Sequence, residues 1–256
     1  MESSPPQPPA AQPTSLLARL LNVFAIPSQV FAEVNASQTR KANWLVPVLL
    51  ASLVGMLTAF ILFSQPAVVE QVTAQQAKLF GEYVKSGLIN QAQADEALKT
   101  YSSPAVLKTG RSLIAAAGSL LGVLWWGFVL WLLGRLFLKT KFPYHKAVEV
   151  AGLASMISLL GSIVTLLLTV NFSNPAATHL VTALSDAKSE AHAFPLAVAL
   201  NLFGFWFIGV TAAGLARLAG VGSLRTFPLV AAGWLLQQMT LLSLGAAAGG
   251  MISGAK

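Results

Sequence analysis

The chain has no cysteine, which excludes a disulfide framework, a thiolate metal site, an iron–sulfur cluster and a cysteine nucleophile. Charge is almost as scarce. Asp, Glu, Lys and Arg make up 10% of the 256 residues, against about 25% in an ordinary soluble domain, so there is too little polar surface to cover the molecule in water. Of the three histidines, His145 is expected on one side of a membrane and His179 and His192 on the other, whereas a zinc site needs three or four ligands brought together. There is no G-x-x-x-x-G-K-[ST] phosphate loop and no G-x-S-x-G elbow around the serines Ser155, Ser158 and Ser162. These absences predict a protein that is not an enzyme and that has no catalytic residue, no cofactor and no metal.

What is present is apolar. Hydrophobic residues reach 55% and the net charge is +7. A basic excess beside apolar runs reads as membrane orientation rather than nucleic-acid binding, because no basic cluster forms a contiguous stripe. Five stretches, free of charge apart from Glu149, are long enough to cross about 30 Å of hydrocarbon, near residues 44–64, 112–133, 147–170, 195–216 and 228–250. Pro47, Pro195 and Pro228 are expected in the first turns, where a missing N–H costs little, and Trp44 suits the aromatic belt. The fold class expected is an all-α membrane protein with five transmembrane helices, an N-terminal amphipathic interfacial helix and a helical outer loop.

Residues 1–13 hold five prolines among Ser, Gln and Ala, a composition that predicts a disordered tail. No basic segment followed by a short apolar run and a small-residue cleavage site is seen, so a cleaved signal peptide is not expected. Over residues 14–36 two short amphipathic helices follow. Leu16, Leu17, Leu20, Leu21 and Phe24 recur at helical spacing with Arg19 and Asn22 opposite, Pro27 interrupts, and Val30, Phe31 and Val34 continue with Gln29 and Glu33 opposite. Such a pair is expected to lie on a membrane surface. The loop 65–110 reads as a helical hairpin. Val69, Val72, Leu79, Phe80 and Tyr83 form a stripe that continues the first span outwards, Gly87 ends it, and Asn90 with Gln93 has the spacing of a capping box that opens a second helix.

Orientation follows from the short loops. Lys139–Lys146 packs three positive charges into eight residues beside Arg135, whereas the loop 65–110 spreads its lysines over more than forty. The positive-inside bias therefore predicts a cytoplasmic N-terminus and an outer C-terminus. Within the spans, Glu149 is expected in the first turn of its helix, paired with Lys146 and Arg135 at the interface, with a proton or cation role as the sharper alternative. Asn201, Gln237 and Gln238 are expected to make helix–helix hydrogen bonds, with a transport path as the alternative. Gly118-x-x-x-Gly122 and Gly245-x-x-x-Gly249 have the spacing of close helix packing, within the bundle or in a homo-oligomer. Trp125 and Trp126 read as bundle packing, or as the wall of a pocket for a hydrophobic ligand.

Val23-Phe24, Pro27, Val30-Phe31 and Val34, followed by Trp44 and Pro47 at the head of the first span, resemble the opening signature of Yip-domain membrane proteins (Ypt/Rab-interacting proteins), particularly their prokaryotic branch. The glutamine-rich loop after the first span, and Phe142–Ala151 leading into the third, are similar to the same family over about residues 15–250. The resemblance implies a multi-pass, non-enzymatic protein of the bacterial cytoplasmic membrane. Eukaryotic members bind prenylated Rab GTPases and help vesicle formation. The Asp-Leu-Tyr-Gly-Pro motif of those members is missing here, so no GTPase-binding residue carries over. The expected role is a scaffold or adaptor that contacts the lipid bilayer and unidentified membrane proteins through Leu20, Phe24, Pro27, Phe31, Trp44 and Pro47, and does not bind nucleic acid. The competing expectation is a small transporter or channel subunit that uses the polar residues of spans three to five.

Overall fold

A computed structural model describes residues 14–171 and 194–253, with the helical stretches 168–171, 194–201, 241–242 and 244–253 described as backbone only. The Pro-rich tail, His179, His192, the side chain of Asn201 and the surroundings of Gly245 and Gly249 therefore lie outside what is described. Every regular element described is helical. In chain order these are α1 (Leu16–Ala25), α2 (Pro27–Ala36), α3 (Ala42–Leu62), α4 (Pro66–Lys85), α5 (Gln91–Tyr101), α6 (Pro104–Leu136), α7 (Tyr144–Asn171), α8 (Phe194–Ala219) and α9 (Ser223–Ser253).

Local chemistry sets the boundaries. Ser15 caps α1 by accepting from the Ala18 N–H, and Pro27 occupies the first position of α2, where its missing donor costs nothing. The Asn90–Gln93 capping box is formed reciprocally, each side chain accepting from the other residue's backbone N–H, at 2.8 and 2.9 Å. Gly87, at φ +73°, follows the end of α4 in a left-handed conformation that a side chain would strain.

Several boundaries differ from those read in the sequence. The stripe beginning at Val69 does not continue the first span. The helix stops at Phe63–Gln65 and restarts at Pro66, because proline suits a first turn and disfavours the interior. Helix α6 begins eight residues before the expected start, at a Ser103 cap followed by Pro104, and carries Lys108 and Arg111 within it. Pro47 and Pro228 lie inside their helices rather than in the first turn. Pro47 leaves the Asn43 carbonyl without its usual i+4 donor.

Four helices are long and apolar enough to cross a membrane among the described residues: α3, α6, α7 over Tyr144–Leu167 and α8 over Leu202–Ala219. Helices α3, α6 and α7 pack mutually, α8 packs on α7, and α9 packs on α8. Helices α7 and α8 are the most enclosed. Their inward faces, including Val150, Leu153, Ile157, Ile208 and Leu215, are almost fully buried. Leu49, Leu53, Leu57 and Phe60 of α3 and Leu113, Ile114 and Leu121 of α6 stay exposed on the outside of the bundle. Large apolar faces of this kind are stable against hydrocarbon and costly against water.

At one end of the bundle, α1 and α2 dock against α7 and α8. At the other, α4 and α5 form a hairpin, held to the span ends by a small cluster of Ala59, Phe63, Val68, Val72 and Leu107. The two ends are called the docked end and the hairpin end.

Candidate functional site: a buried polar latch and a central cleft

The docked end is built on α2. Val30, Phe31 and Val34 fall on one face at helical spacing and are buried at 3, 0 and 0% exposure. Phe31 enters a notch at Gly214 of α8, where an added Cβ would meet the Phe31 ring and Val150. From α1, Leu20 and Val23 are buried, and Phe24 meets Trp206 edge-on at 5.9 Å. The other side of α1 exposes Leu17 and Leu21. The opposition of faces read from the sequence therefore differs: Arg19, expected with Asn22 on the polar side, is buried at 1% exposure, its Nε 3.8 Å from Glu33. Glu33 also accepts from the Thr14 hydroxyl.

Beneath α2 lies a group of buried polar side chains. Lys146 donates to the carbonyls of Val34 at 2.5 Å and Ser37 at 2.6 Å. These carbonyls belong to the C-terminal end of α2, where helix carbonyls lack intrahelical donors and the dipole favours a cation. The same ammonium stands 3.5 Å from Glu149 Oε1, and Asn43 Nδ2 donates to Glu149 Oε2 at 2.5 Å. Glu149 and Asn43 are buried at 0 and 1% exposure. One chain of contacts thus joins α2, α3 and α7. Asn35 adds a second tie, donating to the Arg217 carbonyl at the end of α8.

Lys146 stands beside Glu149, as the i,i+3 spacing implies, and protein encloses the pair. Arg135 stacks its guanidinium 4.4 Å from the Trp131 ring instead. Asn43 was not singled out. Its position one residue before Trp44 gave no signal in a single sequence, because the partner is 106 residues away.

Of the other residues singled out, Leu20, Phe31 and Pro47 point into the bundle. Pro27 and Trp44 are partly buried, and the Trp44 backbone presses directly against Gly152 of α7. Gln237 and Gln238 are elsewhere, in a central cleft.

That cleft has a volume of about 1130 Å³ and is walled by α3, α6, α7, α8 and α9, with Val72 and Gln75 of α4 at the hairpin end. Toward the docked end its lining is apolar: Val48, Val123, Trp126, Ala151 and Phe207. At middle depth Ser119, Ser155, Ser158, Gln237 and Gln238 contribute polar atoms. Most of the hydroxyl protons are already engaged. Ser155 donates to the Gly152 carbonyl, Ser162 to Ser158 and Thr58 to Val54, which leaves a wall of satisfied groups. Gln237 accepts from Trp125 Nε1 at 3.0 Å, which ties α6 to α9 as a helix–helix hydrogen bond. Gly118 and Gly122 also line the cleft, and an added Cβ at either meets nothing within 4 Å. Their spacing therefore marks no close packing among the described residues. The glycine that does bring α3 against α6 is Gly55, where an added Cβ would lie 2.6 Å from Ala115 Cβ.

No curated protein and no solved structure matches this chain. The Yip1 domain model matches residues 21–245, from α1 through the described side chains of α9, and so takes in both the latch and the cleft. The chain is a multi-pass membrane protein that belongs to the Yip1-domain family.

Proposed function

We propose that the protein is a non-catalytic scaffold or adaptor of the membrane, in which α1 and α2 form a platform held rigidly on the bundle. The observation that carries this reading is the latch. Lys146 fixes the end of α2 while Leu17 and Leu21 of α1 stay uncovered, at 67 and 60% exposure. A docked helix with a free apolar stripe presents that stripe at low entropic cost to a membrane partner or to the lipid interface. The interaction surface proposed from the sequence accordingly moves to the free side of α1, with Leu20, Phe24, Pro27, Phe31, Trp44 and Pro47 as its support.

The second reading, a small transporter or channel subunit, draws on the cleft, which gathers polar residues of α3, α6, α7 and α9 along one path. Purified protein in vesicles separates the two. Leu17→Glu with Leu21→Glu is expected to abolish co-purification of membrane partners while the protein stays monodisperse. Vesicles loaded with a pH dye and a potential dye are expected to show no flux. A flux that Gln238→Leu removes from folded protein would favour the transporter.

In this reading α9 is the fifth span. Its 31 residues include a single charge, Arg225, near the start. The N-terminus is cytoplasmic and the C-terminus outside, in a bacterial cytoplasmic membrane, as the basic α6–α7 loop and the prokaryotic resemblance suggest. Because the chain has no cysteine, single cysteines report cleanly. One at Gln91, exposed on α5, is expected to react with an impermeant maleimide on whole cells, and one at Lys141, exposed in the α6–α7 loop, only after lysis. The reverse pattern would invert the orientation.

A further inference from the structure

We propose that the central cleft is a binding site for one anionic phospholipid, with its acyl chains against the apolar lining and its phosphate at Arg111. Three observations carry this. The first is size: about 1130 Å³ lies just beyond the roughly 300–1,000 Å³ of ordinary small-molecule pockets, room for a lipid rather than a polar metabolite.

The second is the gradient along the cleft. Trp126, Phe207, Val48 and Val123 close the docked end with apolar surface. The hydroxyls of Thr58, Ser155 and Ser162 donate to carbonyls of their own helices, so a hydrocarbon chain passing them strands none of these three donors. Gly118 and Gly122 keep the α6 wall flat and open, where any larger side chain would fill the space.

The third is charge. Among the described residues Arg111 is the sole ionisable one in the lining, it stands at the hairpin end, and no described carboxylate lines the cleft with it. Among the described residues no Asp or Glu lies within ion-pair distance of its guanidinium. An unpaired guanidinium at the mouth of an apolar cleft suits a phosphate, which it can bind through two parallel N–H donors, and it favours a net anionic lipid over phosphatidylcholine, whose phosphate is accompanied by a choline cation that the guanidinium repels. Lys108, one turn earlier on α6, is directed over the Phe60 ring at 5.8 Å and lies outside the lining.

The test is native mass spectrometry of the full chain, released from micelles containing equimolar phosphatidylglycerol and phosphatidylcholine. One retained phosphatidylglycerol per chain is expected. Arg111→Gln should reduce the phosphatidylglycerol preference by roughly tenfold, the factor expected for one charge-assisted hydrogen bond. Arg225→Gln, at the far end of the bundle, should leave the preference unchanged. Gly118→Leu with Gly122→Leu fills open space and should remove the retained lipid of either headgroup, with helicity and monodispersity as the control for folding. The proposal is overturned by retention that ignores the headgroup, by a preference that survives Arg111→Gln, or by lipid held undiminished in the folded glycine double variant. The Arg111 arm decides alone if the double variant fails to fold, since that side chain is exposed and supports no packing.

Discussion

Lys146→Met is expected to destabilise the protein by about 3–5 kcal/mol, the range for removing one partner of a buried ion pair. The size follows from what the ammonium leaves behind. Glu149, at 0% exposure, would face only the Asn43 amide, and the Val34 and Ser37 carbonyls at the end of α2 would lose their donor. Glu149→Gln should cost distinctly less. It removes the 3.5 Å ionic contact, but the lysine keeps both carbonyls, and the new amide can still accept from Asn43. Combining Lys146→Met with Glu149→Gln should recover part of the single-variant loss, because the stranded charge is gone and the two sites share contacts. Denaturation midpoints of the four proteins in one detergent give the comparison. Equal costs for the two single variants, with no recovery in the double, would mean that the pair does not hold α2 down.

This ordering separates a structural latch from a proton-coupling site. In a coupling site the carboxylate is indispensable and its neighbours are accessory. Here the lysine holds two backbone carbonyls at the end of α2 and one side chain of its own helix, whereas the carboxylate is only one of its three partners. The platform reading of α1 and α2 rests on that asymmetry, since a helix pair attached only by apolar contact would exchange with the lipid surface far more readily.

Much of this was legible in the sequence, for identifiable reasons. Capping signals are local: Asn90 with Gln93, Gly87 after α4 and Pro27 between α1 and α2 each act within a turn of their own residue, and each stands where the spacing put it. Long apolar runs located the four candidate spans. The failures share a different cause. In a water-soluble helix an apolar stripe marks the buried face, but in a membrane bundle lipid-facing and core-facing residues are both apolar, so the pattern loses its direction. Leu17 and Leu20 look alike in sequence, yet one is exposed and the other buried. Arg19 falls opposite the apolar stripe by spacing, yet it is enclosed. The start of α6 was placed too late because Lys108 and Arg111 interrupt the apolar run without interrupting the helix. The Asn43–Glu149 bond and the cleft depend on residues a hundred or more positions apart, which no window along one chain reveals.

Glycine shows the same loss of direction most sharply, and it allows a matched test in which one substitution has opposite effects at two sites. At Gly152 an added Cβ would overlap Trp44 Cα, with the Asn43 carbonyl oxygen 3.0 Å away. The obstacle is backbone and cannot turn aside as a side-chain tip would. Gly152→Ala must therefore push α3 from α7, at a cost of about 1–3 kcal/mol for overpacking, and it must also displace Asn43 from Glu149 at the neck of the latch. At Gly118 the same methyl enters open space, and relief of the glycine penalty in a helix interior should stabilise by about 0.5–1 kcal/mol. Thermal midpoints should thus fall for Gly152→Ala and hold or rise for Gly118→Ala. A fall of equal size at both would mean that the small residues of α6 pack against another helix, in this chain or a second copy, and that the cleft is closed in the membrane.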